Sequence, residues 1–196
     1  MFQRGEPNER RTTQDTTYRN QLLAQFPAFF TSEFGPELGT IPLVARSTLH
    51  EPGEVSRKIY FVESGIVSLT KPMRDGRSPE VYQVGREGLL PPFLGYSSGV
   101  TTLHAFVTVA GAAIAIDRHE LVMAMAKSKE IAQVLRRYAF AALSEVQQLA
   151  ACNSIHSIEQ RCSRWLLRAQ DRIELDEIPI TQERLATLLG VQRTGV

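Results

Sequence analysis

The side chains best suited to recognise another molecule lie near the end of the chain, where Arg193 stands between Gln192 and Thr194. An arginine can donate two parallel hydrogen bonds to the major-groove edge of guanine. A helix whose first residues include such an arginine can therefore contact DNA bases. The sequence ends at Val196, a few residues later, and we expect it to be cut within this second helix.

The residues before Arg193 have the pattern of a helix that would position it. Thr181 can cap a helix through its hydroxyl, and Glu183 places negative charge in the first turn. Leucines at 185, 188 and 189 form an apolar stripe with helical spacing. Gly190 can end the helix in a left-handed conformation. The pattern predicts a helix-turn-helix, although an αα-hairpin of an ordinary helical domain fits it as well.

Composition sets limits on the class of protein. The 196 residues are 43% hydrophobic and 22% charged, with a formal net charge of +1, so DNA binding would need a local basic face. Arginines do gather late in the chain, among acidic residues that dilute them. We expect neither a membrane span nor a secretion signal, because no apolar run is long enough. The two cysteines, Cys152 and Cys162, suit a reducing cytoplasm. Residues 1–18 are polar and are predicted to be a disordered lead-in.

The segment from about 45 to 116 has the character of β structure. Runs of β-branched and aromatic residues alternate with turn signals at Pro52–Gly53, Ser64–Gly65, Asp75–Gly76 and Gly85. Separate strands are predicted at 59–62, 66–70, 81–84, 105–109 and 113–116. Before this segment, residues 19–30 are predicted to form a short helix that Pro27 ends.

Helical patterns follow the strands. Asp117 can cap a short helix and Ser128 a long one, which we expect to end at a polar break at Asn153–Ser154. An apolar stripe on the long helix favours a two-fold dimer contact, with packing on the chain's own β domain as the alternative. The stripe consists of Ile131, Leu135, Tyr138, Ala142, Val146 and Leu149. Another amphipathic helix is predicted from Ser157 to Ile173, followed by an extended link at 178–180.

This order of elements resembles the Crp/Fnr family of bacterial transcription regulators. The resemblance runs from about Arg19 to the end of the chain and depends on several short motifs in the right order. They are residues 51–54 (EPGE), 62–69 (VESGIVSL), 75–77 (DGR), 85–88 (GREG), 151–153 (ACN), 157–161 (SIEQR), 165–167 (WLL), 181–183 (TQE) and 190–194 (GVQRT).

The resemblance implies an α+β fold. It would comprise an antiparallel β-roll of the jelly-roll type at 19–127, a dimerisation helix at 128–153 and a truncated winged helix-turn-helix at 154–196. It also implies a homodimeric, non-enzymatic regulator with DNA and RNA polymerase as partners and no membrane attachment. Arg193 maps to the base-reading arginine of the family. Thr194 replaces the glutamate that often follows, so the target site should differ, while Thr181 and Gln182 map to phosphate-contacting positions.

The chain departs from the family at the cyclic-nucleotide site. Members that bind cyclic AMP hold the ribose with a Gly-Glu-Leu motif and the phosphate with an arginine. This chain has Gly88–Leu89–Leu90–Pro91–Pro92 in the first place and Leu103 in the second, so we expect no ordinary cyclic-nucleotide site. An unknown, more apolar effector could contact a set of residues that equally suits a core: Gly88, Leu89, Leu90, Phe93, Leu103 and His104.

Two other classes of protein remain as alternatives. The first is a ligand-binding or protein-interaction β-roll whose helix-turn-helix no longer binds DNA. The second, much less favoured, is a cupin-like metal enzyme. Its histidines would cluster, whereas His50, His104, His119 and His156 are scattered and form no His-x-His pair. We therefore expect no catalytic residues, no metal site and no cofactor.

Overall fold

The computed structural model describes residues 18–26, 38–94, 99–173 and 176–191. Within these residues, six antiparallel strands form a sheet and four helices follow the last strand. The strands are β1 Thr40–Leu43, β2 Thr48–His50, β3 Lys58–Thr70, β4 Glu80–Val84, β5 Leu89–Leu90 and β6 His104–Asp117. The predicted lead-in at 1–18 lies outside the described residues except for Tyr18.

Two long strands, β3 and β6, organise the sheet. They pair with each other from Lys58 opposite Asp117 to Thr70 opposite His104. On its other edge β6 pairs with β1 and β2, while β3 pairs with β4 and β5. Each long strand therefore has different partners at its two ends, as the β-roll expectation requires.

The predicted turn at Ser64–Gly65 is wrong, because β3 continues through both residues. Gly65 has a φ of +84°, and the pairing register shifts on both sides of Ser64. A Cβ at Gly65 would lie 2.5 Å from the carbonyl oxygen of Val109 on β6. Glycine here allows a bulge and a close approach of the two strands, so the backbone bends without reversing. The predicted strands at 105–109 and 113–116 likewise merge into β6.

Four helices follow the sheet: α1 Arg118–Lys127, α2 Lys129–Ile155, α3 Ile158–Arg172 and α4 Gln182–Leu189. Three predicted caps are confirmed. Asp117 accepts a hydrogen bond from His119 N, Ser128 from Ile131 N and Thr181 from Arg184 N.

Two predicted helix boundaries are wrong. Helix α2 continues through Asn153–Ser154 to Ile155. The Ser154 hydroxyl is accommodated there by donating to the carbonyls of Ala150 and Ala151 inside the helix. The leading helix is reduced, within the described residues, to a 3₁₀ turn at Leu23–Gln25. Phe26 is extended there, as a residue before proline tends to be.

The apolar core lies in three clusters that join these elements. One joins α1 and the start of α2 to Phe61, Ile114 and Ile116. Another fills the sheet interior around Val62, Leu90 and Val107. The last packs α3 and α4 against β3 and β6. The α+β fold expected from the sequence is confirmed.

Candidate functional site

Helices α3 and α4 form the helix pair predicted to position the DNA-contacting residues. Ser157 begins α3 with a capping box, in which its hydroxyl accepts from Gln160 N and the Gln160 side chain accepts from Ser157 N. Gly190 ends α4 with a φ of +71°, a left-handed conformation that glycine adopts without strain. The Arg161 guanidinium donates to the carbonyl of Leu189 at 2.5 Å, which ties the end of α4 to α3.

The predicted DNA-contacting residues divide into two groups. Thr181 and Gln182 are exposed at the start of α4, where a phosphate contact needs them. Gln192, Arg193 and Thr194 lie outside the described residues. Helix α4 also packs on the sheet, because the Arg184 guanidinium lies 4.2 Å from the centre of the Phe106 ring.

The arginine cluster predicted late in the chain forms only part of a basic face. Arg172 is buried, with 9% of its side chain exposed, and its Nε donates to Glu87 Oε1 at 2.8 Å. Its Nη2 donates to Glu145 Oε1 on α2 at 3.2 Å, and Arg168 forms an ion pair with the same carboxylate. These two arginines join the helix pair to the rest of the chain, so their charge is already neutralised by intramolecular partners.

Most residues proposed for an effector pocket are core residues. Leu89 and Leu90 are fully buried, and Phe93 and Leu103 pack against the cluster inside the sheet. Gly88 faces the Tyr138 ring of α2. The Tyr138 hydroxyl donates to Leu89 O at 3.0 Å and accepts from Leu89 N at 3.1 Å.

The remaining pocket residue, His104, lies at the end of the strand pair. Its Nε2 is 3.2 Å from the Thr48 hydroxyl and 3.7 Å from a Glu51 carboxylate oxygen. The neighbouring Lys71 ammonium donates to Thr102 O at 3.0 Å. Sequence reasoning missed this cation, because Lys71 is far from Leu103 along the chain. The leucines of the predicted pocket are therefore core residues. His104 instead belongs to a partly exposed polar rim.

A polar junction between β4, α2 and α3 is the feature that sequence reasoning missed. At its centre, Trp165 Nε1 donates to Glu80 Oε1 at 2.8 Å. Part of Glu80 is exposed, but Oε2 is buried. Within the described part of the chain, neither Oε2 nor either polar atom of the Gln83 side chain has a partner with hydrogen-bonding geometry. Gly85 belongs to the same junction, since a Cβ there would lie 2.8 Å from the Arg172 side chain.

Burial gives the Glu80 carboxyl an unusual affinity for protons. Removal from water raises its pKa from 4.5 to about 7, against the opposing effects of Ser68, Trp165, Gln83 and Arg172. The same cause raises the pKa of Tyr138 well above its ordinary value, so its hydroxyl stays protonated and can donate to Leu89 O.

Comparison with known proteins adds the fold relationship. No protein-family model and no curated protein matches the chain. Its structure is similar to that of a Crp/Fnr-family transcriptional regulator from Eubacterium rectale, with a TM-score of 0.70, 18% identity, and coverage of 90% of this chain and 82% of the other. It is also similar to the structure of FixK2 from Bradyrhizobium japonicum, with a TM-score of 0.68 and 17% identity, over 80% of this chain and 79% of FixK2. The similarity to a CRP-family transcriptional regulator from Thermus thermophilus has a TM-score of 0.62 and 19% identity, over 79% of this chain and 78% of the regulator.

The chain has the fold of the Crp/Fnr transcription regulators. The resemblance stated from the sequence is thus confirmed at the level of structure. At 17–19% identity the likeness concerns the arrangement of the chain, so the roles of individual residues depend on their own contacts.

Within this Crp/Fnr fold, most of the residues predicted for the dimer interface face the chain's own β-roll. Ile131, Leu135, Tyr138 and Ala142 are buried against the chain's own strands, with 0–8% of each exposed. Leu149 is half-buried and lines small cavities beside Trp165. The stripe is apolar because it covers the β-roll. Of the two possibilities given by the sequence, packing on the chain's own β domain fits these contacts. The opposite side of α2 exposes Phe140 by 71% and Leu143 by 45%.

Two further properties of this Crp/Fnr fold concern membranes and metals. None of the helices in the described part of the chain combines the length and the apolar character needed to span a bilayer. Among the described residues, no group of three or more His, Cys, Asp or Glu side chains is placed to hold a metal ion.

Proposed function

We propose that this protein is a DNA-binding transcription regulator of the Crp/Fnr type. The observation that carries the proposal is the α3–α4 unit. Thr181 caps α4, Gly190 closes it in a left-handed turn, and Thr181 and Gln182 face solvent at its start. A helix that begins with exposed polar groups and free backbone N–H groups is suited to hold a DNA phosphate. The fold likeness to transcription regulators supports the same conclusion.

Arg193, Gln192 and Thr194 are the proposed base-contacting residues. They follow the turn at Gly190 directly in the sequence, where a recognition helix would begin. Arg193 would make a bidentate contact to guanine, whereas the short hydroxyl of Thr194 would discriminate little between bases. Thr181 and Gln182 would fix the position of the protein on the backbone without selecting a sequence.

The regulator is proposed to act as a homodimer through the exposed side of α2. Phe140, Leu143, Ala150 and Ala151 are exposed at helical spacing over three turns of that side. Large exposed apolar side chains in a row are characteristic of an interface. A two-fold contact along α2 would place two α4 helices for two DNA half-sites about one helical turn apart.

The remaining parts of the proposal concern the other partners. The β-roll would respond to an effector of unknown identity, and RNA polymerase would be a partner at the promoter. The protein would act in the cytoplasm and would not catalyse a reaction. The two free cysteines, one buried and one half-buried, agree with a reducing compartment.

A gel-shift titration on the protein's own upstream DNA tests the proposal. Arg193→Ala should weaken binding to the preferred site by about 1–3 kcal/mol and relax selectivity at one base pair. Gln182→Ala should weaken binding to all sequences alike. The matched control is Gln133→Ala, a glutamine on an exposed part of α2 that should leave binding unchanged. Equal affinity for the upstream site and for random DNA would contradict the proposal.

Light scattering tests the dimer. Phe140→Glu combined with Leu143→Glu should convert the protein to monomers, because two carboxylates would replace the exposed apolar contact. Gln21→Glu adds a carboxylate at an exposed position outside α2 and should leave the mass unchanged. A parent protein that is monomeric at micromolar concentration would contradict the dimer.

A further inference from the structure

Glu80 lies where the sheet meets the helix pair, and its two carboxylate oxygens have different surroundings. Oε1 accepts from Trp165 Nε1 on α3 at 2.8 Å. Oε2 is buried and has no partner with hydrogen-bonding geometry among the described residues, and the same holds for both polar atoms of Gln83, three residues along β4. Two small cavities of about 30 and 10 Å³ adjoin the carboxyl, and both are lined by Glu80, Leu149, Arg164 and Trp165. Such volumes hold a water molecule or two at most.

We propose that Glu80 is a proton-operated latch between the sheet and the α3–α4 unit, which holds the unit docked when Glu80 is protonated and favours its release when Glu80 is ionised. The effector of the regulator would then include the proton itself. The latch is a property of this junction, and only its consequence for DNA binding rests on the proposed function.

The hydrogen-bonding groups explain why the protonated form fits the docked junction. A neutral Glu80 can donate from Oε2 to the amide oxygen of Gln83, which gives two buried atoms a partner at once. An ionised Glu80 would keep a charge in the same place. Arg172, whose positive charge opposes the rise in the Glu80 pKa, is already engaged by Glu87 and Glu145. An ionised Glu80 would keep the Trp165 hydrogen bond and the favourable effects of Ser68 and Gln83, but removing its charge from water costs more than these recover, so ionisation opposes docking.

The groups that face Glu80 come from its own strand and from three other parts of the chain. They are Tyr82 on β4, Glu87 after it, Glu145 on α2, and Arg164, Arg168 and Arg172 on α3. Arg161 lines the larger cavity and donates to the Leu189 carbonyl. Helix α4 contributes only the apolar Leu188 and Leu189 to these cavities. An arginine side chain does not lose its charge at any relevant pH. Burial raises the pKa of Tyr82, so its hydroxyl stays neutral over this range.

The direction of the effect follows from the difference between the two states. The pKa of Glu80 is about 7 in the docked junction and 4.5 for the ordinary side chain that a released unit would present to water. The docked state therefore binds the proton more tightly. Its advantage is complete below pH 4.5 and is lost as the pH rises to 7, by a factor on the order of a hundred in the docking equilibrium. The latch would respond at the pH values of a cell interior.

Trp165 makes the latch measurable, because it is the only tryptophan in the chain and bonds directly to Glu80. The emission of the wild-type protein should change between pH 5 and 8, with a midpoint near 7. Hydrogen exchange of the α3 amides, corrected for the intrinsic rate at each pH, should increase over the same range as the unit is released. Both readouts use the whole chain without DNA, so their failure is distinguishable from a failure of DNA binding.

Two variants separate the latch from other titrations. Glu80→Gln keeps an acceptor for Trp165 but cannot ionise, so its emission and its α3 exchange should not depend on pH in this range. His156→Gln should keep the transition, which excludes the histidine beside α3, since histidines change charge near neutrality. If Glu80→Gln does not fold, the midpoint of the wild-type emission change and the hydrogen exchange of α3 still test the latch. A transition that persists in folded Glu80→Gln, a midpoint near 4.5, or unchanged α3 exchange would each overturn the proposal.

Discussion

Helices α2 and α3 both pack against the sheet, but they use different chemistry. Helix α2 presents Ile131, Leu135 and Ala142 to the core, and all three are almost completely buried. Helix α3 also contributes apolar side chains, yet its distinctive contacts are the Trp165–Glu80 hydrogen bond and the ion pairs of Arg172. The strength of apolar packing does not depend on pH and depends little on the direction of approach. The strength of a hydrogen bond to a charged group depends on both pH and geometry. Under the proposed latch, α2 would be the fixed helix and α3 the helix whose attachment is regulated.

The largest expected effect comes from placing charge in the apolar contact. Leu135→Glu should reduce the free energy of unfolding by about 4 kcal/mol or more, because it removes a buried side chain and buries a carboxylate. Urea denaturation measures the loss. Gln21→Glu, at an exposed position outside α2, should change stability by less than about 0.5 kcal/mol. If Leu135→Glu produced stable monomers instead, the stripe would be an interface after all.

Predictions made from the sequence succeeded where a local rule decides the structure. Asp117, Ser128 and Thr181 begin their helices and Gly190 ends the last one, because each cap needs only neighbouring backbone groups. The stripe of α2 was identified correctly as apolar, but its partner was not. Periodicity shows that one face of a helix is buried and does not show what covers it.

Other features could not be predicted because they depend on residues far apart in the sequence. Glu80 and Trp165 are 85 residues apart, and so are Glu87 and Arg172. Neither residue of a pair carries a local signal of its partner. Gly65 was predicted to form a turn because glycine favours turns, whereas the close approach of Val109 on β6 decides that it forms a bulge. The base-contacting residues at 192–194 lie outside the described residues and stay predictions.

An intermediate effect is expected from the polar junction. Arg172→Met keeps an apolar side chain of similar length but removes the cation of Glu87 and leaves Glu145 with Arg168 alone. Both carboxylates are partly exposed, at 31% and 24%, so water compensates in part and the loss should be about 1–3 kcal/mol. Arg172→Lys should recover only some of it, because an ammonium cannot reproduce the forked donors.

Hydrogen exchange of α3, measured beside urea denaturation, locates the effect of Arg172→Met. Faster exchange confined to α3 and α4, with α2 unchanged, would sharpen the distinction between the two helices. A loss as large as that of Leu135→Glu, spread over the whole sheet, would contradict it, since Arg172 would then stabilise the β-roll itself.

The smallest expected effect concerns the cap that sets the start of α4. Thr181→Ala should cost about 1 kcal/mol, because the backbone N–H of Arg184 loses its side-chain acceptor, while Thr181→Ser should retain most of the stability. The change should appear as faster exchange in α4 alone. The Arg184–Phe106 contact holds this helix to the sheet independently of the cap. If Thr181→Ala also released α3, the helix pair would move as one rigid unit, and a proton at Glu80 would then control both helices together.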